Sequence, residues 1–166
     1  MTKLTEFLSP ENVRQGVLIS SKKRALELVG KIVAESINQT EQQSEALCPI
    51  ECFGNLFKRE KLGTKGIALP HAKLPACGDI ELTKPIAVFL QLEEAIDYEA
   101  QDNKEVDLIY AMMFPENSCE QYKSCLPAIA QKLTDKSLLK QLRAAESAED
   151  IWQILVYADN HLKDEE

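Results

Sequence analysis

Two stretches, Pro85 to Leu92 (PIAVFLQL) and Val106 to Phe114 (VDLIYAMMF), constrain this chain more than any other part of it. A strand with one face in water alternates apolar and polar residues. Neither stretch does, so both are expected as central strands covered on both faces. Covers for such strands must be helices, and the flanking sequence supplies them. Val13 to Ile19 has apolar residues at 13, 17 and 19 and predicts a short first strand despite Gly16. Ser20 and Ser21 then offer an N-cap, and Ala25, Leu28, Val29, Ile32, Val33 and Ile37 form one helical stripe ending in the polar segment Asn38 to Glu45.

Pro49 suits the first position of a second helix through Ile50, Phe53, Leu56 and Phe57 to Lys61. The chain must turn between Gly63 and Gly66. Ile67 to His71 then reads as a short strand halted by Pro70, which leaves His71 at a strand end. Ala95 to Tyr98 suggests an additional short strand before the turn-prone Asp102-Asn103. Beyond Ser118 the pattern is helical, with a capping box at Ser118 and Gln121 and a kink expected at Pro127. A restart is expected at Thr134 or Asp135, and Ser147 with Asp150 predicts the cap of a last helix bearing Ile151, Ile154, Leu155 and Ala158. This alternation, without internal repeats, predicts one α/β domain over residues 1–159 and a frayed charged tail over 160–166.

Charge narrows the partners. With 27 acidic against 19 basic residues the net charge is -8, so the average surface field repels nucleic acid. The N-terminal stretch lacks an apolar signal core, and no apolar run approaches the roughly 20 residues that span a bilayer. A cytoplasmic protein without membrane insertion is expected. The five cysteines, Cys48, Cys52, Cys77, Cys119 and Cys125, are odd in number and irregularly spaced, which fits reduced thiols better than a disulfide framework. Cys48 and Cys52 have no partner pair at zinc-site spacing, so no metal is expected.

Chemistry-bearing motifs are few. The sequence holds no phosphate-cradling Gly-x-x-x-x-Gly-Lys loop, no Gly-x-Gly-x-x-Gly run and no Gly-x-Ser-x-Gly elbow, so no nucleotide or other cofactor is expected. Of the two histidines, His161 reads as exposed tail. His71, at a strand-to-loop transition, stands where open α/β sheets place reactive groups. Two readings stay open for it: a reactive imidazole, or a core histidine with one nitrogen bonded to the backbone. A neutral imidazole has one unprotonated nitrogen able to attack phosphorus, and its ordinary pKa of about 6.5 keeps that form available near neutrality. Arg59 and Lys73 are the sequence-local cations that would offset phosphate charge, and Thr64 with Gly63 and Gly66 would add hydroxyl and backbone donors.

The segments Arg59-Glu60-Lys61-Leu62-Gly63-Thr64, Gly66-Ile67-Ala68-Leu69-Pro70-His71-Ala72-Lys73, and Val106-Asp107-Leu108 with Phe114-Pro115, together with the opening Leu8-Ser9-Pro10-Glu11-Asn12-Val13, carry a resemblance. In order and approximate spacing they resemble the mannitol/fructose-type enzyme IIA domain of the bacterial phosphotransferase system. The match covers nearly the whole chain, and a free-standing single domain of this length looks most like the nitrogen-regulatory branch. The resemblance implies a three-layer α/β/α sandwich around a central mixed β-sheet. It implies that His71 accepts phosphate through its Nε2 from an HPr-like phosphocarrier, with Arg59 beside it. It also implies a regulatory target, such as a potassium-transport or sensor protein. The Gly63 to Gly66 stretch is shorter than the family's usual glycine-rich loop, and Tyr122 or a neighbour stands where a second histidine is often found. The shorter stretch leaves open an interaction module of the same fold that is not phosphorylated, and the IIA component of a sugar permease is a third reading.

Overall fold

The computed structural model describes residues 4–40, 63–64, 67–68, 71–74, 86–97, 105–115, 125–133 and 135–161. The two apolar stretches are its longest strands, β5 (Ile86–Ile96) and β6 (Val106–Pro115), paired antiparallel. Around them stand β1 (Val13–Val17), β2 (Gly63–Thr64), β3 (Ile67–Ala68) and β4 (His71–Leu74). The sheet order is β1-β5-β6-β3-β2, with β4 also on β6. β1 runs parallel to β5, and β3 and β4 run parallel to β6, so the sheet is mixed.

Helices cover both faces, as the absence of alternation demands. On one face α1 (Lys22–Thr40) packs Ala25, Leu26, Val29, Ile32 and Val33 against Val88, Leu90, Ile109, Ala111 and Met113. On the other, α2 (Cys125–Lys132), α3 (Lys136–Ala144) and α4 (Ala148–His161) pack against Ala87, Phe89, Leu108, Tyr110 and Met112. Odd and even residues of one strand thus enter different cores, which gives the three-layer α/β/α sandwich. The register partners Phe89 and Tyr110 add an edge-to-face ring contact at 6.4 Å.

Local chemistry sets the helix starts. Ser21 Oγ accepts from the Arg24 N–H at 3.3 Å, Asp135 from Leu138 at 2.9 Å, and Ser147 from Asp150 at 3.1 Å. Each satisfies a donor that the first helical turn leaves orphaned. At the other end of α3 the satisfaction comes from the sheet. Buried Gln91 donates from Nε2 to the carbonyls of Leu142 at 2.7 Å and Ala145 at 2.9 Å, and its Oε1 accepts from the Gly16 N–H at 3.1 Å. Gly16 sits at φ 64 inside a register slip of β1, a left-handed conformation that glycine adopts without penalty.

Some boundaries differ from the sequence expectation. The stretch Ala95-Ile96 is no separate strand: β5 continues to Ile96, which meets Val106 after a register slip. The last helix carries past Asp159 to His161. Pro127 falls in the first described turn of α2, and the residues before Cys125 lie outside the described ones. The helix expected from Pro49 to Lys61, the Asp102-Asn103 turn and the Ser118–Gln121 box lie outside the described residues.

Candidate functional site

His71 opens a strand instead of closing one. The described parallel pairing on β6 comprises β3 before residues 69–70 and β4 after them, and those two residues lie outside the described ones. The two pieces keep one register: Ile67 stands opposite Leu108 and His71 opposite Met112, with the same offset along both chains.

The same register collects two further predicted residues. Lys73 is two positions beyond His71, opposite Phe114, and Thr64 is opposite Ile67 across the β2–β3 antiparallel pair. Paired residues share a sheet face and alternate residues return to it, so Thr64, Ile67, His71 and Lys73 occupy register positions of one parity. Leu108 and Met112, the β6 partners of Ile67 and His71, belong to the core on the face of α2, α3 and α4. In the same antiparallel pair Gly63 stands opposite Ala68; residues 65–66 lie outside the described residues. Arg59 lies outside the described residues, as do Cys48, Cys52, Cys77 and Cys119.

Sequence reading missed what surrounds this position. Met112 opposite His71 is fully buried, and so is its β5 partner Ala87. Buried Asn12 donates to the Ala87 carbonyl at 3.2 Å, while the Ala87 N–H donates to the carbonyl of Phe7 at 2.9 Å. The spacing of Leu4, Phe7 and Leu8 was the available signal, since it places apolar residues three and four apart ahead of the first strand. Asp159, which ties that segment down, had no local signal. No group of three or more His, Cys, Asp or Glu among the described residues is placed to hold a metal ion. Among them, too, no helix is long and apolar enough to cross a membrane.

The sheet end that displays His71 can be set beside known proteins. The family model described as phosphoenolpyruvate-dependent sugar phosphotransferase system, EIIA 2, matches residues 6–157. A nitrogen regulatory protein homolog from Haemophilus influenzae is 50% identical over 161 residues, covering 95% of this chain and 93% of that protein. The crystal structure of nitrogen regulatory protein IIA-Ntr from Neisseria meningitidis superposes with TM-score 0.76 at 25% identity, over 92% of this chain and 98% of the other. The IIA mannitol structure from Escherichia coli shares the fold, with TM-score 0.64 at 18% identity over 89% of this chain and 97% of the other.

Proposed function

From the premise that this chain belongs to the phosphotransferase-system EIIA 2 family, we propose that it is a regulatory phosphocarrier whose His71 takes a phosphoryl group from an HPr-like histidine phosphocarrier in the cytoplasm. The single observation that supports His71 is its place in the sheet: it opens β4, in register with Met112, on the same parity as Thr64 and Lys73. Sheet backbone fixes the residue on a rigid element, which phosphoryl transfer needs because its catalysis is mostly positioning and charge stabilisation. The Nε2–P bond forms as the donor's N–P bond breaks. The donor ring, protonated on its other nitrogen, leaves as neutral imidazole. Lys73, Thr64 and Arg59 are assigned to offset and hydrogen-bond the phosphoryl oxygens.

The regulatory output rests on the likeness to the nitrogen regulatory proteins, and the target read is a protein such as a potassium transporter or a sensor. Incubation with phosphoenolpyruvate, enzyme I and an HPr-type carrier, followed by intact mass, tests the transfer. The expected product is an acid-labile gain of one phosphoryl group that disappears in His71→Gln. No gain, or a gain that survives the substitution, contradicts it. The short Gly63 to Gly66 stretch of the sequence favours one rival, an unphosphorylated interaction module, and the same experiment separates the two.

A further inference from the structure

Leu4 to Leu8 run as a strap over the sheet end at which His71 stands. Leu4 is fully buried and Leu8 nearly so, both in the cluster that holds Met112. Three anchors fix the strap. The Asp159 carboxylate accepts from the Leu4 N–H at 2.6 Å, from the Thr5 N–H at 3.1 Å and from Thr5 Oγ1 at 2.6 Å. The Tyr110 hydroxyl donates to the Leu4 carbonyl, and the Ala87 N–H to the Phe7 carbonyl. Asp159 stands in the last turn of α4, where the helix dipole disfavours a negative charge. Its three accepted bonds, charge-assisted and reaching across the length of the chain, offset that cost.

Two of the anchors bracket the register partner of His71. Ala87 lies opposite Met112 across the β5–β6 pair, and Tyr110 stands two residues before Met112 on β6, in the same buried cluster. Met112 lies opposite His71. With strands about 4.8 Å apart, Ala87 and His71 end a row only two spacings wide. A strap that shifts moves Ala87, Tyr110 or both, and packed interiors transmit such shifts because they hold few voids to absorb them.

We propose that Asp159 is a positioning residue for His71: by clamping the N-terminal strap it holds the Ala87–Met112–His71 row in the alignment that phosphoryl transfer requires. The proposal rests on the reading of His71 as the phosphoacceptor. Asp159→Asn keeps the side-chain shape but removes the charge and one acceptor. Thr5→Val removes a single bond of the clamp. Gln91→Met is the control, because it loosens a buried network four residues along β5 from Ala87, at the bulge of β1 and the end of α3.

A His161→Gln background leaves one imidazole to observe, since the chain has two histidines. The readouts are the His71 ring resonances in the unphosphorylated protein, and kcat and KM with the phosphorylated carrier as donor. Both are taken where circular dichroism shows each variant folded. Asp159→Asn is expected to shift the His71 resonances and lower kcat about tenfold, or about 1.4 kcal/mol of barrier, with KM unchanged. Thr5→Val is expected to do the same in smaller measure, and it carries the test if Asp159→Asn does not fold. Gln91→Met is expected to lower Tm while leaving the resonances and kcat in place. Unmoved resonances in both clamp variants overturn the proposal, and so does an equal shift in Gln91→Met. A parent protein that takes no phosphate defeats the reading of His71 instead, and the resonance arm still decides the clamp.

Discussion

The β5–β6 pair and the β2–β3–β4 group share one sheet but are built on opposite terms. β5 and β6 run 11 and 10 residues, with Val88, Leu90, Ile109 and Met113 in one core and Phe89, Leu108, Tyr110 and Met112 in the other. The second group consists of strands of 2, 2 and 4 residues that carry His71, Thr64 and Lys73. Its members gain order by pairing: β3 and β4 lie on β6, and β2 lies on β3. Stability is concentrated in one half of the sheet, and the proposed chemistry in the half that borrows it. Such a division lets polar, charged residues occupy strands that alone would be marginal.

Substitutions can break this contrast. The largest stability effect is expected for Phe89→Ala, which opens a cavity between β5 and α3–α4 and should cost about 3–5 kcal/mol in a urea titration. Phosphate acceptance should persist in whatever fraction stays folded. Gln91→Leu leaves the Gly16 N–H and the carbonyls of Leu142 and Ala145 without their partner, and about 2 kcal/mol should be lost in the same titration. Lys73→Met should invert the pattern: thermal melting stays within about 0.5 kcal/mol of the parent, while the initial transfer rate falls about tenfold, or about 1.4 kcal/mol of barrier. Asp135→Ala deletes the α3 cap and should cost about 1 kcal/mol. The smallest effect is expected for Arg143→Ala. Its partly exposed ion pair with Asp107 at 2.8 Å should contribute about 0.5 kcal/mol at most, and less as salt is added.

The same contrast explains what was legible in the sequence. Strands apolar on both faces announce themselves by lacking alternation, and Ser21, Asp135 and Ser147 cap helices by contacts three residues away. Those signals are local. The position of His71 is not, because its register is set by Met112 on β6, some forty residues on. The partners of Gln91 and Asp159 were hidden for the same reason. One bridges β1 to the end of α3 and the other ties α4 to the N-terminal strap, so their partners lie far away in the chain. Gln91 did stand as a polar residue within an apolar run, a sign that a buried partner awaited it. Sequence motif pointed to His71, Thr64 and Lys73 together, and backbone register supplies a reason for the grouping: all three fall on one parity.

Nitrogen-15 correlation spectra of the protein phosphorylated through enzyme I and an HPr-type carrier decide whether His71 is the phosphoacceptor. One imidazole, assigned to His71 by its loss in His71→Gln, is expected to change its Nε2 resonance on phosphorylation and to revert when acid removes the phosphate. A spectrum in which the His71 ring nitrogens are unchanged while the protein carries phosphate, or in which no phosphate is acquired, would contradict it.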